Sequence, residues 1–243
     1  MSTIAIINII FVNAIIIFGV SYYWSKWTFK LFKPYRWQEK VNLQLIHRGI
    51  EEVERKDKDK VRTYTVWYLL ERLEDAQVEG ALVCAGIENM TIPLLMRLHN
   101  NERKMFVVDP FENKNEIVEH ENCNGEVTKE KKQIDYVRYA DLIGREEFEL
   151  NTQIVQGRIS DEITKLDTPI AFIEIDSVSY NDVYTSLTHA YKHLSKGGIM
   201  VVHDYNHIWT EVKAAVDRFQ MSVPECFVPV ADSYGSVILV KNR

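Results

Sequence analysis

AFIEIDSVSYNDVYTSLTHAYKHLSKGGIMVVHDY, residues 171–205, decides the fold. The stretch opens on an apolar run, Ala171 to Ile175, that ends at Asp176, and it closes on a second run, Ile199 to Val202, that ends at His203 and Asp204. Between the two, the pattern predicts a helix over 180–194. Neither run alternates with polar residues as a strand with one wet face would, so each is expected to be covered on both sides. Strand, helix and covered strand make a βαβ unit, and such units build parallel sheets.

The same alternation extends in both directions. Short apolar runs occur at 81–85 (ALVCA), 105–108 (MFVV), 153–155 (QIV), 227–230 (FVPV) and 236–240 (SVILV). Helices are expected near 90–100, 133–142 and 208–220, and an amphipathic helix from Val61 to Leu73. The last two runs are separated only by ADSYG, which reads as a terminal hairpin. The expected fold class is α/β, with a doubly wound, mostly parallel sheet.

In an open sheet of this kind, ligands sit beyond the carboxyl ends of the strands. The residues there are Gly86, Asp109, Gly157, Asp176 and Asp204. Asp109 lies 23 residues beyond Gly86, where a carboxylate can accept hydrogen bonds from the ribose of a nucleoside cofactor; the competing reading is a turn acid before Pro110. Asp176 and Asp204 end neighbouring strands and would suit Mg²⁺ or Mn²⁺ held by carboxylates, water and substrate oxygens. His203 either joins that pocket or points away into the core, since adjacent strand residues face opposite ways.

AFIEIDSVSY, KGGIMVVHDYN at 196–206, VKAAVDRF at 212–219 and VVDPF at 107–111 together resemble the macrocin O-methyltransferase family of class I methyltransferases. These segments fall where that family has its I-D-x-D-x-Y, GG, D-D-Y and D-x-F elements, and the likeness runs over roughly residues 75–243. The resemblance implies a Rossmann-like, seven-stranded sheet with a reversed final strand, S-adenosylmethionine as cofactor, and a divalent metal. It implies that Asp109 binds the ribose, that Gly86 lies under the methionine part, that Gly157 begins the loop near the adenine, and that Asp176 and Asp204 hold the metal.

The chain departs from that pattern at four places. Cys84 replaces an acid two residues before the first loop glycine, and Met90 replaces a second glycine. Val178 stands where the family has its proposed general base. His203 replaces the first acid of D-D-Y, and an imidazole there becomes the substitute base for the acceptor's proton. Tyr180, Tyr205 and His207 would line the acceptor side, or Tyr180 caps the following helix and His207 is solvated.

The expected activity is O-methylation of a hydroxyl on a sugar, glycan or other small polyol or phenolic acceptor. A catalytically degenerate member that binds a nucleotide or protein partner is the alternative, favoured by Cys84, Met90 and Val178. A nicotinamide-dependent oxidoreductase would need G-x-G-x-x-G after the first strand, which CAGIENM does not supply.

The amino-terminal region has a different character. No side chain from Met1 to Ser25 is charged, and Ile4 to Val20 is almost wholly apolar, with Asn8 and Asn13 as interruptions. At about 1.5 Å per residue the stretch to Trp24 is roughly 30 Å long, one bilayer core. Tyr22, Tyr23, Trp24 and Trp27 follow as an interfacial cluster, and then Lys26, Lys30, Lys33 and Arg36. The positive-inside rule puts the remainder on the cytoplasmic side of a single-pass membrane protein. A cleaved signal peptide would want a basic start and a small-residue cleavage site, and the sequence offers MSTIAI and bulky aromatics. The expected organisation is an anchor over 1–25, a basic collar and charged linker over 26–60, and a methyltransferase-like domain over 61–243.

Composition bounds the partners. The 243 residues carry a formal charge of −6, and the first 40 hold five Lys or Arg against one Glu, so the body is more acidic than the average. An acidic body argues against a general nucleic-acid binder. Cys84, Cys123 and Cys226 show no metal spacing and are an odd count, which favours a reducing compartment. Asn89-Met90-Thr91 is a formal glycosylation sequon, at odds with a cytoplasmic domain if modified. Association into a homo-oligomer is left open.

Overall fold

The computed structural model describes residues 3–32, 34–42, 48–57, 59–87, 91–100, 102–111, 116–121, 127–132, 151–206, 209–233 and 235–242. Met90, Asn89, His207, Cys123 and the helix expected over 133–142 lie outside the described residues. The chain divides into two compact units, Met1–Leu45 and Ile46–Arg243.

The first unit contains helix α1 (Thr3–Phe32) and the short helix α2 (Tyr35–Asn42). Within α1, Ile4–Ser25 has a mean hydropathy of 2.5 and its most apolar window is 0% buried, so it is long and apolar enough to cross a membrane. The interruption at Asn13 costs little, because its Nδ2 donates to Ile9 O at 2.8 Å within the helix.

The second unit begins with α3 (Arg48–Lys56) and α4 (Lys60–Asp75). Residues 48–57, 59 and 60, within the 26–60 span expected as collar and linker, belong to this unit. Ile50 and Val53 are 3% and 1% exposed, at a spacing that puts them on one helix face, and α3 packs on α5 (Thr91–His99). The charges that suggested a solvated segment are partly consumed internally: Asp59 caps α4 by accepting from Arg62 N–H, and Glu54 accepts from the Tyr64 hydroxyl at 2.8 Å.

The main sheet contains β1 (Ala81–Ala85), β2 (Met105–Asp109), β5 (Thr152–Gln156), β6 (Ile170–Ile175), β7 (Leu194–Val202), β8 (Val228–Pro229) and β9 (Val237–Val240). Its order is β5-β2-β1-β6-β7-β9-β8. All pairings from β5 to β7 are parallel, and β9 runs antiparallel to β7 and β8. The α/β class, the mostly parallel seven-stranded sheet and the reversed strand at its end are as the sequence predicts.

Every residue of β1, β2 and β6 is buried, which is why these runs are continuous in the sequence. One face packs Val83, Val108, Ile173 and Met200 against Val183 and Leu187 of α7 (Tyr180–His193) and Val212 and Val216 of α8 (Thr210–Gln220). The alternate residues face the other layer, where Cys84 Sγ lies 3.3 Å from Met96 Sδ of α5. Short helix α6 (Ile159–Glu162) and a 3₁₀ turn link β5 to β6.

A separate antiparallel hairpin, β3 (Glu116–Glu121) with β4 (Val127–Lys132), was not expected. Its register sets Glu116 opposite Lys132 and Glu119 opposite Lys129. Asn124-Gly125 between the strands is the sequence signal that marks it.

Candidate functional site at the carboxyl edge of the sheet

Backbone hydrogen bonds lock the strand ends to one another. Gly86 N–H donates to Val108 O at 2.8 Å, Gly157 N–H to Asp109 O at 3.1 Å, Asp176 N–H to Ala85 O at 2.9 Å, and His203 N–H to Ile175 O at 3.0 Å. Gly86, Asp109 and Gly157 are thereby brought together, and Asp176 is set beside them.

Gly86 has to be glycine. Its φ is +93°, and a Cβ there would stand 2.1 Å from the carbonyl oxygen of Asp176. The turn after β1 therefore hugs the turn after β6, and Ile87 is aimed toward β2. Asp109 is 6% exposed and completes the link: Oδ2 accepts from Ile87 N–H at 2.9 Å, and Oδ1 from Phe111 N–H at 2.7 Å. The second bond is the turn role weighed for Asp109 in the sequence. The first goes beyond it, tethering the Gly86 loop to the end of β2.

His203 is not placed as a base. The residue is 1% exposed, its Nδ1 lies 2.6 Å from Ser236 Oγ, and its Nε2 lies 2.7 Å from Glu174 Oε1. Both ring nitrogens are committed to the interior, so neither can take a proton from an acceptor. Strand alternation is the physical reason, since it turns the ring toward the neighbouring Glu174. Burial pulls the ring toward neutrality, but the hydrogen bond and charge of Glu174 outweigh that and the nearby Arg62, with a further contribution from Asp176, and the pKa is raised. Glu174, 2% exposed, is also 3.6 Å from Cys84 Sγ, and burial followed by the Glu174 charge pushes the thiol well up.

Glu174 and Ser236 are the site-edge residues that sequence reading missed. Cys84 and Glu174 are register partners on β1 and β6. The carboxylate that the resemblance places at 84 thus stands one strand over, and its signal was an acid inside an otherwise apolar run.

The two expected metal ligands differ in setting. Asp204 is 3% exposed with φ at +62°, while Asp176 is partly exposed. Among the described residues no three His, Cys, Asp or Glu side chains gather in a way that could hold an ion. His203 is already engaged and adds no ligand, so the structure does not support the expected Mg²⁺ or Mn²⁺ site: a cation held by Asp176 and Asp204 would draw its other ligands from water and acceptor.

On the acceptor side, Ser179 caps α7 by accepting from Asp182 N–H, so Tyr180 is not the cap. Tyr180 is 41% exposed and its ring stacks on Tyr184 at 5.7 Å. Tyr205 donates to Asp217 Oδ1 at 2.7 Å and accepts from Lys213 Nζ at 3.0 Å. Lys213 Nζ also donates to Asp217 Oδ2 at 2.9 Å; that bond first, and the Tyr205 hydroxyl second, hold the Lys213 ammonium up to about 12, and against burial the Lys213 and Tyr205 bonds keep the Asp217 carboxyl low.

Residues 86–205 match a family described as a methyltransferase domain. The strand order and the single reversed strand agree with solved structures of that kind. The fold is that of a class I methyltransferase. The O-methyltransferase NovP shares 20% identity, with a TM-score of 0.59 over 76% of this chain and 81% of that one. CalS11, a TDP-rhamnose 3'-O-methyltransferase of calicheamicin biosynthesis, shares 15% identity, with a TM-score of 0.53 over 86% and 88%. A protein from Corynebacterium glutamicum shares 13%, with a TM-score of 0.54 over 86% and 97%. No curated protein matches the chain closely enough to count as a relative. The likeness is therefore to methyltransferases broadly and not to the macrocin family that the motifs resemble.

Proposed function

We propose that the chain is an S-adenosylmethionine-dependent O-methyltransferase held at a membrane by α1, with its methyltransferase domain on the cytoplasmic side. The observation that carries the reading is Asp109. A buried carboxylate at the end of β2, bonded to the amide that follows the Gly86 turn, is suited to the two hydroxyls of a ribose lying across that turn. Gly157, bonded to the Asp109 carbonyl, starts the loop that would flank the adenine.

Bound S-adenosylmethionine supplies an electrophilic methyl on a sulfonium. The protein's part is to hold an acceptor oxygen in line with that methyl and to take its proton. Asp109 and Asp204 are buried and His203 is engaged, which leaves Asp176, the partly exposed strand-end carboxylate, as the group for proton removal. Val178 cannot accept a proton. The acceptor proposed is a hydroxyl of a sugar, glycan, or other small polyol or phenol near the membrane surface.

Calorimetry of the full chain in nanodiscs with S-adenosylhomocysteine, followed by transfer of labelled methyl to sugar and phenol acceptors, tests the reading. Absence of binding sinks it. Binding without transfer to any acceptor would favour the second reading, a degenerate member, which Val178 and the engaged His203 support.

A further inference from the structure

A run of hydrogen bonds leads from the segment before α4 to the end of β7, and we infer that it positions residues 204–206 at the acceptor side of the site. The inference rests on the methyl-transfer reading of that edge. Asp59, 5% exposed, begins the run: Oδ1 accepts from Arg62 N–H at 3.1 Å and Oδ2 from Ser233 N–H at 2.6 Å. The second bond spans 174 residues of sequence. Asp57 steadies the first residue by accepting from Asp59 N–H and from the Thr63 hydroxyl.

Ser233 belongs to the loop that leads into β9. That loop is closed by Gly235 N–H on Asp232 O at 3.3 Å and Ser236 N–H on Asp232 Oδ1 at 2.8 Å. It then grips the chain beyond β7 at two points. Asn206 N–H donates to Gly235 O at 3.1 Å, and a Cβ on Gly235, at φ +58°, would stand 2.7 Å from Asn206 Cβ. Ser236 Oγ meets His203 Nδ1 at 2.6 Å, and Glu174 fixes the other side of the ring.

Asp204 and Tyr205 lie between those two grips. Asp204 holds φ at +62°, a conformation that few residues with a side chain adopt and that persists where the surroundings over-determine it. The grips at 203 and 206 supply that determination. Asp59, Ser236 and His203 are thus positioning residues, acting on the acceptor side through the backbone of 204–206.

Hydrogen exchange of the full chain in nanodiscs, read by mass spectrometry, tests this. Asp59→Ala and Ser236→Ala should each speed exchange over 203–206 by about threefold or more. Ser236→Thr, which keeps the hydroxyl, should restore protection there. Affinity for S-adenosylhomocysteine should change by less than about twofold, because Gly86, Asp109 and Gly157 are tied by separate bonds. Thermal melts of each variant confirm a folded domain, and Asp59→Asn, which can retain one of the two acceptor roles, stands in if Asp59→Ala fails to fold. Faster exchange confined to 57–63 and 231–236, or Ser236→Thr exchanging as fast as Ser236→Ala, overturns the inference. Failure of the wild type to bind S-adenosylhomocysteine overturns the methyltransferase reading, while the exchange pattern still decides the positioning role.

Discussion

Glu174 Oε1 and His203 Nε2 are 2.7 Å apart and almost wholly excluded from solvent, a carboxyl–imidazole pair inside a parallel sheet. The His203 pKa lies above its usual 6.5, so the pair contributes stability that is fully present below about 6.5 and is lost as pH rises through the raised folded value. The Cys84 thiol, the Asp176 carboxylate and the Arg62 guanidinium are the other charged or titratable groups acting on it. Melting temperature measured from pH 6 to 9 should fall on the alkaline side in wild type, and the fall should flatten in Glu174→Gln/His203→Gln. Equal slopes for the two proteins would remove the ion pair from the account.

Removing one partner alone should be worse than removing both. Glu174→Ala takes the carboxylate away from the buried His203 Nε2, at a cost of about 3 kcal/mol or more. Chemical denaturation of the single and double variants measures the coupling, and additivity of the two single effects would contradict a direct pair.

Asp109→Ala removes the acceptor for Ile87 N–H and the proposed ribose contact together. Affinity for S-adenosylhomocysteine should drop about tenfold or more, equivalent to about 1.4 kcal/mol. Wild-type affinity in this variant would place the nucleoside elsewhere.

Gly86→Ala sets a methyl against the Asp176 carbonyl at a left-handed φ. The backbone must move, at about 1–3 kcal/mol, and cofactor binding should weaken with it. An unchanged melting temperature and affinity would mean that the two turns are not held in contact.

Asp176→Asn tests the proton acceptor. Turnover should fall by about a hundredfold while S-adenosylhomocysteine affinity stays within about twofold. Retained turnover would shift the role to another group.

For the membrane reading, a tag on the carboxyl terminus should resist protease added to intact cells and become sensitive after lysis. Digestion from outside, or glycosylation at Asn89, would reverse the proposed orientation.

The strands and their terminal acids were legible because a fully buried parallel strand is written as an unbroken apolar run, and the run's end marks the sheet's carboxyl edge. β1, β2, β6 and β7 and the positions of Gly86, Asp109 and Gly157 follow from that. Which way His203 faces was not legible, because a run ending in HD does not say which residue faces the ligand. The answer depended on Glu174, which lies 29 positions away and becomes a neighbour only through strand pairing. The burial of Ile50, Val53 and Asp59 was not legible, because charge density hides the first two and Asp59 finds its partner at Ser233. Local pattern reports which face is wet; it carries no information on partners brought in by topology.

The reversed direction of β9 has a consequence for how the domain comes into being. In a sheet of parallel strands only chain leaving a strand reaches the ligand edge; β9 enters the sheet there, pairing Val237 with Val202 next to His203. A ribosome delivers this strand after all the others, so the half of the cleft around Asp204 cannot mature until synthesis has passed β9, whereas the nucleoside half can assemble well before.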